Sequence, residues 1–200
     1  RLRSVLETFC KVPEGFYLHA KLQKWLQDRL ASFNGNIDWG AAECLAFGSL
    51  LEEGVPIRLA GQDSQRGTFS HRHMIWIDGE GSKPYCPLCK YKGTLQVINS
   101  PLTEYAGMGF EYGYSWSAVD SLVLWEAQYG DFNNGAEIVI DQYPFSGAFD
   151  PATDFRSGVA AFTCSPGCSL TLTAWPETGA RSGVRARSRR AALRAASFSR

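Results

Sequence analysis

The sequence lacks any long hydrophobic run, and it contains few histidines. No segment approaches the roughly 18 consecutive apolar residues that a transmembrane helix needs. The first residues, RLRSVLETFCKVPEG, contain no apolar stretch followed by a small-residue cleavage site. We therefore expect a soluble protein that is not exported. The 3 histidines are His19, His71 and His73, so any chemistry that needs an imidazole depends on one of them.

Lysine is absent from the last quarter of the chain, and acidic residues are scarce there. Residues 151–200 contain 8 arginines and 2 acidic residues, a net charge of +6, and residues 1–150 carry a net charge of −6. The segment 148–200 is rich in Arg, Ala and Ser and shows no helical periodicity, so we expect an irregular tail that is either disordered or a non-native product of a frameshift. A basic arm for an acidic partner is the third interpretation, although nucleic acid is not an expected partner.

The rest of the composition is that of a globular domain with alternating helices and strands. Hydrophobic residues make up 44% of the 200 residues, which is enough for one packed core. Strands that alternate with helices predict an α/β fold, a parallel sheet flanked by helices. From apolar spacing and from glycine and proline positions, we predict helices over 17–32, 38–53, 104–113 and 134–143, and strands over Pro56–Ala60, Leu95–Ile98 and Leu122–Trp125.

The 6 cysteines include two closely spaced pairs. Cys86 and Cys89 have the two-residue gap of a zinc knuckle or a redox pair, and Cys164 and Cys168 are separated by three residues. The long separation of the two pairs, one of which lies in the tail, argues against a shared zinc site. We interpret the cysteines as unpaired reduced thiols, with zinc binding as the alternative.

Three of the predicted strands are followed by loops whose side chains suit ligand binding. In a parallel sheet the carboxyl ends of the strands share one edge, where ligands bind. Gln62, Leu102, Glu104 and Phe132 would meet there, and Glu104 is the candidate catalytic residue because its carboxylate stands in an apolar, glycine-rich setting. A carboxylate, an amide, an apolar side chain and an aromatic ring suit a flat heteroaromatic ligand. The alternative is that Phe132 lies in the core and Gln62 is a turn residue.

His71 and His73 alternate in the segment GTFSHRH. In extended backbone this spacing places both side chains on the same side. We interpret them first as structural residues that form hydrogen bonds, and the alternative is a role near the substrate or the cofactor. His19 belongs to the first predicted helix, and we interpret it as structural.

Three long motifs follow one another along the chain: IDWGAAECLAFGSLLEEGVPIRLAGQDSQRGTFSHRH, INSPLTEYAGMGFEYGY and LVLWEAQYGDFNNGAEIVIDQY. They resemble the thiamine diphosphate-dependent decarboxylating component of the 2-oxoglutarate dehydrogenase complex. The resemblance extends from about Val12 to Gly147 and covers the pyrimidine-binding domain alone. It implies an N-terminal helical lead-in at 1–36, a transketolase-like pyrimidine-binding domain at 37–147 and the tail at 148–200.

The resemblance implies a role for each candidate residue. Glu104 would hydrogen-bond a ring nitrogen of the aminopyrimidine of thiamine diphosphate and so activate the cofactor. Phe132 would stack on that ring, Leu102 would contact it, and Gln62 would lie in the same pocket. The implied reaction is oxidative decarboxylation of 2-oxoglutarate in the tricarboxylic acid cycle, with transfer of the acyl group to a lipoyl group.

The same resemblance implies partners and a location. The partners would be a second subunit, either another copy or a full-length one, the lipoyl-bearing succinyltransferase component of the complex, and the 2-oxo acid substrate. No membrane is implied. The location would be the bacterial cytoplasm or the mitochondrial matrix.

Two features of the complete enzyme have no counterpart in this sequence. The family holds Mg²⁺ and the diphosphate through a GDG motif followed by an asparagine, and the GDFN sequence at 130–133 does not match that motif. The family's later histidine segment is missing as well. We therefore expect the chain alone to be inactive. The alternative function is a catalytically inactive fragment or an interaction module with a basic tail.

Overall fold

The computed structural model describes residues 1–129, 135–142 and 159–163. None of the described helices is long and apolar enough to cross a bilayer. The elements, in chain order, are α1 (Leu2–Cys10), α2 (Ala20–Ser32), α3 (Trp39–Glu52), β1 (Ile57–Gly61), β2 (Trp76–Ile77), β3 (Pro84–Tyr85), a 3-10 helix (Pro87–Lys90), β4 (Leu95–Asn99), α4 (Glu104–Ser117), β5 (Leu122–Ala127), α5 (Glu137–Gln142) and β6 (Val159–Thr163).

Four parallel strands form the main sheet, in the order β4-β1-β5-β6. The antiparallel pair β2–β3 lies outside this sheet. The predicted fold class, a parallel sheet flanked by helices, is confirmed. Strand β6 was not predicted. The segment 148–200 was interpreted as a whole from its arginine-rich composition, and the short apolar run VAAFT at Val159–Thr163 was overlooked. The expectation of an irregular tail is corrected at these residues, and the rest of the tail lies outside the described residues.

Side chains that alternate along the strands separate two cores. The larger core lies between the sheet and α1–α3 and includes Ile57, Leu59 and Leu124. The smaller core lies between β5, α4 and α5 and includes Trp125 and Ala127. Since successive strand residues point to opposite faces, β5 supplies both cores.

Side chains cap the first turns of α2 and α3. The predicted helix over 17–32 begins later, at Ala20, because the Nδ1 atom of His19 accepts a hydrogen bond from the backbone N–H of Lys21 at 3.2 Å. This contact gives His19 the structural role we assigned to it. Asp38 caps α3 by accepting a hydrogen bond from the N–H of Ala41 at 2.6 Å.

Helix α1 was not predicted, although it completes the larger core. Its residues Val5, Leu6 and Phe9 are fully buried, and they pack against α3 at Gly48. A Cβ added at Gly48 would overlap the side chain of Val5, so the close approach of the two helices requires a glycine there. Gly48 is thus a position where α3 packs directly against α1.

Candidate functional site

A small open cleft lies at the carboxyl ends of β1, β4 and β5. It brings together three of the predicted site residues, Gln62, Leu102 and Glu104. They meet because Gly61, the last residue of β1, pairs with Asn99 of β4 and with Glu126 of β5, so the three strands end at one level. The other lining residues are Gly61, Ser100, Trp125, Glu126, Ala127 and Gln128.

Glu104 is the first residue of α4, and its side chain is half-buried at the cleft. The partial positive charge of a helix N-terminus stabilises a carboxylate there by about 0.3–1 kcal/mol. The segment that precedes α5 lies close by, since a Cβ added at Gly135 would stand 3.5 Å from the Oε2 atom of Glu104. The carboxylate therefore stands between α4 and the start of α5.

Gln62 ties together the two loops that form the mouth of the cleft. Its Nε2 atom donates a hydrogen bond to the carbonyl oxygen of Leu102 at 3.2 Å, and the N–H of Ser100 donates one to the carbonyl oxygen of Gly61 at 2.9 Å. Gln62 is thus a turn residue whose amide also lines the cleft. The side chain of Leu102 is 41% exposed, so it offers an apolar contact to a ligand.

Phe132 lies outside the described residues, so its predicted place in the site stays a prediction. The aromatic pair nearest to it in sequence is formed by Tyr129 and Phe69, whose rings meet edge to face with centroids 5.5 Å apart. Tyr129 directly follows Gln128 of the cleft. The loops after β1 and after β5 therefore contact each other through this aromatic pair.

A buried ion cluster beneath the cleft was not predicted. The guanidinium of Arg72 donates to both oxygens of Glu126 at 2.6 and 2.8 Å and to both oxygens of Glu43 at 2.5 and 2.8 Å. It also donates to the carbonyl oxygen of Ser64 at 2.8 Å. The cluster connects three elements: helix α3, strand β5 and the loop that follows β1. A glutamate inside the apolar strand LVLWEA was the available signal, since a buried charge needs a partner.

Glu43 and Arg72 hold each other in the ionised state. Burial alone raises the pKa of Glu43, but the Arg72 guanidinium outweighs burial and holds that pKa below its usual value. Burial alone lowers the pKa of Arg72, whereas Glu43 and Glu126 raise it well above its usual value. The cluster therefore holds α3 and β5 together through buried ion pairs.

The two histidines of GTFSHRH do not share one side, so that expectation is wrong. His73 has a φ of 45°, which breaks the extended alternation. Its ring packs against Trp25 of α2, with centroids 4.8 Å apart, whereas the Nε2 atom of His71 lies 3.9 Å from Glu126. His71 is thus the histidine that reaches the ion cluster beneath the cleft.

Both histidines are shielded from water. Burial, followed by the charge of Arg72, lowers the pKa of His71. Burial, followed by the charge of Arg29, lowers the pKa of His73. The Nδ1 atom of His71 is buried without a hydrogen-bond partner. The rings are therefore held in the neutral form, and one nitrogen of His71 has its hydrogen-bonding capacity unused.

Helix α4, which carries Glu104, is clamped to the sheet by two contacts. Arg58 of β1 forms a two-pronged ion pair with Glu111, at 2.7 and 2.9 Å. On the same face, a Cβ added at Gly107 would come within 2.8 Å of the indole nitrogen of Trp125. The helix therefore lies close against β1 and β5, which fixes the start of α4 at the cleft.

The cysteines differ from the predicted set of unpaired thiols. Cys86 and Cys89 are joined by a disulfide, which the two-residue gap permits because their Cα atoms lie 5.4 Å apart. Cys10 and Cys44 are free. Cys164 and Cys168 lie outside the described residues. Within the described part of the chain, no group of three or more His, Cys, Asp or Glu side chains could hold a metal ion.

Comparison with known proteins agrees with this architecture. The family model of the transketolase pyrimidine-binding domain matches residues 35–152. The 2-oxoglutarate dehydrogenase E1 components of Bacillus mycoides (strain KBAB4), Bacillus cereus (strain B4264) and Bacillus anthracis (strain A0248) are each 48% identical to the chain over 151 residues. These matches cover 73% of this chain and 16% of each relative. They confirm the resemblance that the three motifs indicate.

Proposed function

The chain belongs to the transketolase pyrimidine-binding domain family, and on that premise we propose that its cleft binds the aminopyrimidine of thiamine diphosphate. The observation that carries the proposal is the meeting of Glu104, Gln62 and Leu102 in one cleft at the carboxyl ends of the parallel strands. The enzyme would be a 2-oxoglutarate dehydrogenase that decarboxylates 2-oxoglutarate and transfers the acyl group to a lipoyl group.

The residues of the cleft fit one half of this cofactor. Glu104 supplies a hydrogen-bonding carboxylate, and Leu102 and Ala127 supply apolar surface. Among the described residues that line the cleft, none is basic. The cleft therefore suits the uncharged ring and not the diphosphate.

Glu104 would act by accepting a hydrogen bond from the ring and holding a proton at a ring nitrogen. When bound, thiamine diphosphate supplies an electron sink for decarboxylation of a 2-oxo acid. Gln62 would fix the mouth of the cleft through its bond to the Leu102 carbonyl, and Leu102 would exclude water from the ring. Phe132 would stack on the ring, as the family resemblance implies.

His71 is the better of the two candidates for a substrate-side role. It lies near Glu126, a lining residue of the cleft, and its Nδ1 atom is buried without a hydrogen-bond partner. His73 packs against Trp25, which favours a structural role for it. We therefore retain His71 as a substrate-side residue and treat His73 as a support for the loop that carries it.

The proposed assembly follows from what one chain contains. The chain spans 16% of the length of the relatives named above, and its cleft carries no basic side chain for the diphosphate among the described lining residues. The remaining half of the site, with the Mg²⁺ ligands, would come from a second subunit. The lipoyl-bearing succinyltransferase component would receive the acyl group. Because the relatives are bacterial, the bacterial cytoplasm is favoured over the mitochondrial matrix.

A complementation assay tests the proposed activity. A Bacillus cereus 2-oxoglutarate dehydrogenase E1 component that lacks the matching region would be mixed with this chain, thiamine diphosphate, Mg²⁺ and 2-oxoglutarate. We expect release of carbon dioxide from the mixture and none from either part alone. Glu104→Gln should abolish it, whereas Glu7→Gln, at an exposed position of α1, should not. Carbon dioxide release that is unaffected by Glu104→Gln would refute the role assigned to Glu104. If sedimentation shows that the two parts form a complex but no carbon dioxide is released, the alternative of a catalytically inactive fragment is favoured.

A further inference from the structure

The motif Cys86-Pro87-Leu88-Cys89 takes no part in the cleft. It lies between β3 and β4, at the amino end of β4, whereas the cleft lies at the carboxyl end of the same strand. At roughly 3.3 Å per residue, the five-residue strand separates the two places by about 13 Å. A function for the motif is therefore independent of the proposed cofactor site.

The backbone of the motif is held in place by groups other than the sulfurs. Leu88 is fully buried in the larger core, and the N–H of Tyr91 donates to its carbonyl oxygen at 3.2 Å. Gly93 donates to the carbonyl oxygen of Leu51 at 2.8 Å. The N–H of Cys89 donates to the carbonyl oxygen of Cys86 at 3.3 Å. The two sulfurs would thus stay close together after the bond between them is reduced.

The two cysteines differ in their access to solvent. Cys89 is exposed, while Cys86 is half-buried and packs against the larger core. Exchange between thiols and disulfides requires access to the sulfur that is attacked. An external reagent therefore reaches Cys89 first, and Cys86 is positioned to react with Cys89 from within.

A zinc site explains the motif less well. A structural zinc ion needs four ligands, and the described residues contain no group of three or more His, Cys, Asp or Glu side chains that could hold a metal ion. The sulfurs are instead bonded to each other. The chemistry open to an accessible pair of this kind is reversible exchange.

We propose that Cys86 and Cys89 form a thiol–disulfide exchange site in which Cys89 is the sulfur that meets external reagents and Cys86 is the resolving sulfur. In oxidation, the Cys89 thiolate attacks a low-molecular-weight disulfide, forms a mixed disulfide and releases one thiol. The Cys86 thiolate then attacks the Cys89 sulfur and releases the second thiol. The protein loses two electrons and two protons, and the reagent gains both. Reduction by two external thiols reverses these steps.

The experiment uses the full 200-residue chain with Cys164 and Cys168 replaced by serine. The protein would be equilibrated with mixtures of reduced and oxidised glutathione, quenched with acid, alkylated and analysed by peptide mass spectrometry. We expect the fraction of bridged Cys86–Cys89 to rise and fall reversibly with the glutathione ratio. A pair that stays fully reduced, or fully bridged, at every ratio would overturn the proposal.

Single substitutions test the order of attack. Cys86→Ser should trap glutathione on Cys89, and Cys89→Ser should capture glutathione on Cys86 more slowly. Equal rates in the two variants would contradict the assigned order, and Cys86→Ala and Cys89→Ala give the same readout if a serine variant fails to fold. Cys10 is an internal control, because burial raises its pKa to about 11 and the smaller thiolate fraction slows its reaction about tenfold.

Discussion

At the residue scale, Arg72 does not line the cleft but binds Glu126, a residue that does. Its guanidinium makes five hydrogen bonds to Glu43, Glu126 and Ser64. Glu126 lines the cleft and its side chain is 3% exposed, so without Arg72 its charge would be buried and unpaired. Removing one partner of a buried ion pair costs far more than the intact pair contributes.

Arg72→Gln should therefore destabilise the protein by about 3–5 kcal/mol, measured as the free energy of unfolding in urea. Arg66→Gln is the matched control, since Arg66 lies on the same loop and pairs with Asp63 at a position where both side chains are about half exposed. A surface pair of this kind contributes about 0–1 kcal/mol. If the free energy of unfolding fell by similar amounts in the two variants, the buried cluster would contribute no more to stability than a surface ion pair.

The same cluster predicts how stability depends on pH. Because the pKa of Glu43 in the folded protein lies below its ordinary value of 4.5, the ionised carboxylate stabilises the fold above that value. This contribution is lost as the pH falls through the folded-state pKa. We expect the free energy of unfolding to fall as the pH drops below about 4.5 and towards the lowered pKa of Glu43, and Glu43→Gln should reduce that slope. If the free energy of unfolding depended on pH in the same way in the unmodified chain and in Glu43→Gln, the pH dependence would not come from Glu43.

At the element scale, α3 is the helix that fits most closely against the loop with the two histidines. A Cβ added at Gly40 would overlap the carbonyl oxygen of His71, an atom that accepts a hydrogen bond from Arg29 at 2.6 Å. The opposite case is Gly113 of α4, where an added Cβ would meet nothing within 4 Å. Gly40 thus has no room for a side chain, whereas Gly113 has open space around it.

Gly40→Ala should lower the free energy of unfolding by about 1–3 kcal/mol, because backbone must move to make room. Gly113→Ala should raise it by up to about 1 kcal/mol, since alanine favours the helix and no contact opposes it. Urea denaturation of both variants checks the difference in sign. A Gly40→Ala variant as stable as the unmodified chain would mean that α3 and the histidine loop are not packed as described, and a less stable Gly113→Ala variant would mean that the space around Gly113 is not open.

The sequence predicts most elements that carry their own periodicity and misses those that depend on tertiary contacts. Helix α1 is the exception, because it was missed although Leu2, Val5, Leu6 and Phe9 have the spacing of one helical face. The strands at Ile57–Gly61 and Leu122–Ala127 are recognisable as apolar runs. The two-residue strands β2 and β3 are too short to show a pattern. The ion pair between Arg72 and Glu126 spans 54 residues of sequence, so only the sheet topology brings its partners together.

The candidate site shows the same division. Glu104, Gln62 and Leu102 were predicted because each follows a strand, and the parallel sheet brings the ends of such strands to one edge. The separation of His71 from His73 was not predictable, because it depends on the positive φ of His73. A backbone conformation of that kind leaves no signal when the residue is not glycine.

At the scale of the whole molecule, the chain has the features of one half of a larger site. It spans 16% of the length of the relatives named above. Leu102, which lines the cleft, is exposed, as are the apolar side chains of Phe69, Tyr105 and Tyr129. Exposed apolar surface of this kind marks a site of contact with a partner. We therefore expect the chain to self-associate or to bind a longer copy, which sedimentation at several protein concentrations would show as a mass that rises with concentration.

The central claim is that Glu104 binds the pyrimidine ring, and calorimetric titration with the isolated aminopyrimidine half of thiamine tests it most directly. This ligand needs neither Mg²⁺ nor the missing half of the site. We predict that the chain and Glu7→Gln bind it equally, and that Glu104→Gln binds it about tenfold or more weakly, since a hydrogen bond to a charged group contributes about 1.5–3 kcal/mol. Equal affinity in all three proteins, or no binding by the unmodified chain, would contradict the claim.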